Sequence, residues 1–150
     1  MRFQRFYNPL VIRLLCSPLH ALMSSSVLLL TYKGRRSGRI YTTPVSYVRE
    51  GEEVLLVAAR GHSWWRNLRG GAPVRVRIRG RDEETVAEAL EGASAEVALL
   101  AMLQAVPAYR RHWKVELGPD GSPKDPNDLA HVSKGNVPVR VRGLAEARRT

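Results

Sequence analysis

The sequence of 150 residues predicts an α+β fold, with about six mostly antiparallel strands forming a sheet or small barrel and helices flanking it. Two observations carry that prediction. Short apolar or alternating segments recur between turn-forming residues, as half-buried strands do. Helical patterns are few and do not alternate regularly with the strands, so no series of βαβ units is encoded. The length suits one domain over residues 1–150, large enough to bury a core without disulfides or a structural metal.

Residues 1–23 open on a helical pattern, with Asn8 as the cap, Pro9 at the first position and Leu10, Ile12, Leu14, Leu15, Leu19, Leu22 and Met23 at near-helical spacing. Arg13, Pro18 and His20 interrupt its apolar run, so it reads as part of the mature protein rather than as a signal peptide. Two roles suit it: a helix packed on the domain, or a lid or membrane-surface segment.

"VLLLTY" then reads as a buried strand, "RIYTTPVSYVRE" as a second and "EEVLLVAAR" as a third across the "REGEE" turn. "SWWRNLRG" suits a short helix. "PVRVRIRG" directs Val74, Val76 and Ile78 to one face and Arg75, Arg77 and Arg79 to the other, and Thr85 to Leu90 is its partner across the "GRDEE" turn. Ser94 to Leu103 reads as a helix burying Val97, Leu100, Met102 and Leu103, with helix resuming after Pro107. Residues 118–129 have the composition of an exposed loop, and "VPVRVRG" is a last strand that Pro138 assigns to an edge.

The formal charge of +10 reflects 24 Lys and Arg against 14 Asp and Glu. It admits an anionic ligand, nucleic acid or an anionic membrane. The basic stretches lack interleaved aromatics for base stacking, so nucleic acid is not the expected partner. Cys16 has no second cysteine to pair with, and the four histidines lie far apart, so a reducing cytoplasm and no structural metal are expected. No nucleophile elbow, zinc helix or phosphate-binding Walker loop occurs.

Candidate chemistry gathers in three places. The hairpin tip Gly34, Arg35, Arg36, Ser37 and Gly38 can expose successive N–H groups and add charge-assisted bonds to an oxyanion, or it is simply a solvated basic turn. Of Trp64 and Trp65, one is expected to pack inward while the other covers a ring-shaped ligand; the other reading is that both pack against a neighbouring subunit. Asn67 follows, placed to orient a ligand or to cap a backbone group. In "VPAYRRHWKV", Tyr109 and His112 are three residues apart, so one helical face can present both as proton donors; the other reading is packing by Tyr109 and Trp113.

Taken in order, "NPLV", "SPLH", "LLLTYKGRRSGRIYTTPV", "LLVAARG", "WWRNLRGGAPVRVRIRG" and "VPAYRR" resemble the deazaflavin-dependent nitroreductase family, whose members use coenzyme F420. The resemblance spans roughly residues 8 to 115. It implies a split β-barrel, often a homodimer, that delivers hydride from the reduced coenzyme to nitroaromatic, quinone-like or other unsaturated small molecules. It also implies tail binding by Gly34, Arg35, Arg36, Ser37 and Gly38. Thr43, Pro44 and Val45 would then run beside the deazaflavin ring, with Ala58, Ala59, Arg60 and Gly61 on its other side. Trp65 and Asn67 would complete the pocket and Tyr109 would stand near the substrate. Tyr41 occupies a position where members commonly carry a basic residue, which implies one tail contact fewer. Related split barrels bind FMN, haem or fatty acids, so an FMN-dependent oxidoreductase and a non-catalytic carrier of flavin, haem or lipid are the alternatives. A hydride-donating cofactor also accounts for the missing catalytic dyad, because the protein then chiefly binds, orients and excludes water.

Overall fold

The computed structural model describes residues 27–50 and 53–143. The helix expected over residues 1–23 and the centre of the "REGEE" turn lie outside the described residues.

Six strands form a closed antiparallel barrel in the order β1-β2-β3-β6-β5-β4. They are β1 (Val27–Lys33), β2 (Ile40–Glu50), β3 (Glu53–Ala59), β4 (Ala72–Ile78), β5 (Arg81–Ala89) and β6 (Asn136–Val141). A 3-10 helix, Trp64–Leu68, joins β3 to β4, and α1 (Ala93–Ala105), α2 (Pro107–Trp113) and α3 (Asp128–Gly135) lie between β5 and β6. Leu28, Leu30, Val54, Leu56, Val74, Val76, Ile78, Val137, Val139 and Val141 fill the core cluster, as the two-residue alternation of β4 and β6 requires. Val48 and Leu55 instead pack with Leu90 against Ala95, Ala98 and Met102 of α1.

Incomplete pairing between β2 and β3 positions the site. β2 follows β1 along its first part, from Ile40 to Ser46, but pairs β3 only from Tyr47 to Glu50. On its other side β3 pairs with β6 along Val54–Ala59, so beyond Leu56 that is its only ladder among the described residues. The two strands therefore separate, leaving Thr43–Ser46 and Val57–Ala59 on opposite walls of a cleft. Pro44 suits a strand with an unpaired side, because it has no N–H to contribute to a ladder.

Several sequence expectations are corrected. β5 begins at Arg81, not Thr85: Arg79 and Gly80 alone make the turn, at φ 50° and 77°, the left-handed pair that a two-residue hairpin requires. The charged residues taken for turn belong to cross-strand pairs, Arg77–Asp82 at 2.9 Å and Arg75–Glu84 at 3.1 Å. Val97 is exposed, and α1 buries Ala95, Ala98, Leu99, Met102 and Leu103, since its alanines allow the closer approach to the barrel. Pro138 is not on an edge, for β6 pairs with both β3 and β5. Its carbonyl accepts from the Leu90 N–H at 2.8 Å, beyond the last Ala89–Val139 pair, so its missing N–H falls where that ladder ends. The loop ends at residue 127, because Asp128 and Leu129 open α3. Asp and Asn there serve a helix start, a use that composition does not separate from a turn. This loop is also tied down: Gln104 Nε2 donates to Gly121 O at 2.8 Å, and Gly118 N donates to Ser122 O at 2.7 Å.

Candidate functional site

The tip between β1 and β2 is braced from inside. Gly34 N–H donates to Arg39 O and Gly38 N–H to Gly34 O, both at 2.8 Å, while Arg35 N–H donates to Asn67 Oδ1 at 2.9 Å. The expectation of a row of available N–H groups is therefore corrected for three of them: those of Gly34 and Gly38 close the hairpin, and that of Arg35 is taken by Asn67 of the 3-10 helix. Gly34 is required here because a Cβ would lie 2.7 Å from Ser37 Oγ and 2.8 Å from Tyr41 Cε2. Tyr41 is buried, stacks on Tyr32 at 5.6 Å and meets Ser37 Oγ through its hydroxyl at 3.1 Å. It supports the tip from below instead of contributing a charge to it.

Across from the tip, the 3-10 helix repeats every three residues, so positions three apart share a face. Ser63, Arg66 and Arg69 line one cavity of about 580 Å³ together with Asn67 and the tip residues Gly34, Arg35, Arg36 and Ser37. Trp65 and Leu68 form the buried column, 1% and 0% exposed. Trp64 and Asn67 form the third. Both tryptophans are thus buried, against the expectation that one would stand out, because the helix is enclosed on two of its three faces. Trp65 donates through Nε1 to Arg60 O at 3.3 Å and lines neither this cavity nor the cleft. Guanidiniums of Arg60, Arg66 and Arg69 lie 5.4, 5.5 and 4.8 Å from its ring centre.

Asn67 acts on backbone. Its Oδ1 holds the tip at Arg35 and its Nδ2 donates to Trp64 O at 3.0 Å, so one buried amide fixes the spacing between tip and helix. Arg35 Nη2 also donates to Arg69 O, a second tie between the cavity's walls.

The cleft between β2 and β3 encloses about 360 Å³ and brings together Thr43, Pro44, Val45, Ala58, Ala59 and Tyr109, with Ser46, Val57, His62 and Trp64. Arg60 and Gly61 do not line it. Arg60 turns away, Nη2 donating to Ser133 O of α3 at 3.0 Å. Gly38 likewise stays outside the basic cavity. Ser63, Arg66, Arg69 and His62 escaped sequence reading as site residues, and the signal for the first three was their spacing of three, legible once a 3-10 rather than an α-helical period is applied.

Tyr109 reaches the cleft because α2 is docked by Arg110, whose Nε donates to Leu103 O at 2.7 Å and Nη2 to Gln104 O at 3.2 Å, satisfying the carbonyl end of α1. The ring stacks on Trp113 at 4.9 Å, and burial pushes the phenol above its ordinary pKa. A second opening, lined by Ser46, Tyr47, Val48, Val106, Ala108, Tyr109 and His112, meets the cleft at Tyr109 and Ser46. Tyr109 and His112 do share a face.

Outside the site, basic residues of the strands are largely paired. Arg75 and Arg77 face the acids of β5, Arg140 lies 3.5 Å from Glu53, and Arg142 lies 3.3 Å from Glu88. These are the arginines a nucleic-acid surface would have used. No cluster of potential metal ligands occurs among the described residues, and no helix among them is long and apolar enough to cross a membrane.

Among solved structures, the chain is similar to an F420-H2 dependent reductase at 20% identity and TM-score 0.53, covering 78% of this chain and 94% of that one. It is also similar to a domain-swapped dimer, at 18% identity and TM-score 0.50 over 82% and 92% of the two chains. A conserved hypothetical protein from Mycobacterium tuberculosis gives 19% identity and TM-score 0.51 over 85% and 80%. These likenesses establish the split-barrel fold. No curated protein matches the chain. The F420H(2)-dependent quinone reductase family matches residues 14–116, well over half of the sequence, and the chain belongs to that family.

Proposed function

We propose that the basic cavity holds the phosphate and acidic tail of coenzyme F420, that the cleft holds its deazaflavin ring, and that hydride passes to a quinone-like, nitroaromatic or other unsaturated small acceptor. The observation that carries this reading is the adjacency of two unlike chambers. His62, Ser63 and Trp64 are consecutive, and the middle one lines the basic cavity while its neighbours line the cleft. One ligand with an anionic end and a flat end fits that arrangement.

When bound, the reduced coenzyme supplies the hydride. Arg35, Arg36, Arg66 and Arg69 would hold its anionic groups, with Ser37 and Ser63 adding hydroxyl donors. Pro44, Val45, Ala58 and Ala59 offer small or apolar walls to a flat ring, and Trp64 closes one end and limits water there. Asn67, Gly34 and Gly38 shape the tip, while Arg60 and Trp65 support the helix beneath the cavity. Tyr109, whose phenol is neutral at ordinary pH and is pushed further up by burial, would give a proton to the reduced acceptor.

Fluorescence titration with F420, run beside FMN at matched ionic strength, tests the assignment. Saturable binding that prefers F420 is expected, and preference for FMN or binding of neither would overturn it. We also place the chain in a homodimer, supported by its likeness to a domain-swapped dimer. Light scattering is expected to give twice the chain mass, and a monomer at working concentration would remove that element.

A further inference from the structure

Glu91, just beyond β5, brings a carboxylate against the arginines of the basic cavity. Its Oε1 accepts from Arg69 Nε at 2.9 Å, and its Oε2 lies 4.0 Å from Arg60 Nη1. Arg69 lines the cavity, so one of its four cations is already engaged by an acidic side chain of the protein.

That engagement is not what holds Arg69 in place. Its guanidinium lies over the Trp65 ring at 4.8 Å, and its carbonyl is fixed by the bond from Arg35 Nη2. The two side chains of the ion pair are 51% and 41% exposed, a setting in which such pairs add little to stability. The effect on a ligand is of another order. A carboxylate bonded to a ligand-facing guanidinium offsets its field and repels an approaching anion, and protein on one side of the cavity weakens the solvent screening of that repulsion.

We propose that Glu91 limits the affinity of the anion cavity: it competes with the acidic tail of the coenzyme for Arg69 and keeps that coenzyme exchangeable between turnovers. The inference rests on assigning the cavity to the F420 tail. Its contribution is opposite in sign to that of the arginines around it, although it sits in the same network.

Glu91→Gln isolates the charge, because the amide keeps an oxygen acceptor for the Arg69 Nε–H and nearly the same volume. Titration of the full chain with F420 at low salt is expected to give a Kd about three- to tenfold lower than that of the unsubstituted protein, chiefly through slower dissociation, with the gap closing as salt shortens the Debye length. Unchanged or weaker binding by the variant would overturn the inference and make Glu91 a brace for Arg69. If the unsubstituted protein bound no F420, the cavity assignment would fall, and the inference with it. The two failures are thus distinguished by which protein fails to bind as expected.

Discussion

The double variant Arg36→Ala with Arg66→Ala is expected to weaken F420 binding roughly 10- to 200-fold at low salt, about 1.5–3 kcal/mol in total, with no change in melting temperature. These two are chosen because the fold asks least of them. The Arg35 side chain ties the tip to the Arg69 carbonyl, and the Arg69 guanidinium is shared between Trp65 and Glu91, so substituting either would change more than one contact at once. Arg66 rests on the Trp65 face at 5.5 Å, and the Arg36 side chain makes no hydrogen bond or ion pair among the described residues. Their loss should therefore appear in binding and in its salt dependence. Surface exposure of both side chains sets the upper bound, since screened cations contribute less than buried ones. The readout is the Kd at two ionic strengths beside a thermal melt. Unchanged affinity would return the tip to a solvated basic hairpin, and a lowered melting temperature would mean that the pair is structural.

The parts of this architecture legible in the sequence are those where period and side-chain chemistry agree. Val74, Val76 and Ile78 alternate with arginines and do face the core, and the glycines around Arg35, Arg36 and Ser37 do mark a tip. Boundaries failed where charged residues serve two purposes. Asp82 and Glu84 look like turn residues, yet they pair with Arg77 and Arg75 across a ladder that one strand alone does not display. Within the candidate site, the resemblance named Thr43, Pro44, Val45, Ala58 and Ala59, and the structure brings them into one cleft. Trp65 was named for the pocket because the resemblance carried it over, whereas the 3-10 period puts Trp64 and Asn67 in the same column and Trp64 on the cleft. Glu91 carries no local signal at all. Its meaning depends on Arg69 and Arg60, which only the packing of the 3-10 helix beside β5 brings to it.

Tyr109→Phe is expected to lower kcat about 10- to 100-fold for acceptors that need a proton on reduction, while leaving the F420 Kd unchanged. The substitution removes one oxygen and keeps the ring, so the stack on Trp113 at 4.9 Å and the wall of the cleft persist. A donor must hold its proton at working pH, and burial favours this by raising the phenol pKa. Activity that depends on the neutral phenol is present below its pKa and lost as pH rises through it. Because the pKa is raised, that alkaline limb should lie above the range of an exposed tyrosine, with no titration of Tyr109 across neutral pH. The Phe variant should lack the limb. His112 lines the neighbouring opening with Tyr109 and, like solvent, offers a second route for the proton, which is why the expected loss is modest for a general acid. Stopped-flow oxidation of the reduced coenzyme by a quinone and by a nitroaromatic, followed against pH for both proteins, reads all of this at once. Equal kcat for every acceptor, or an alkaline limb that survives in the variant, would remove the proton from Tyr109 and leave it only a wall of the cleft.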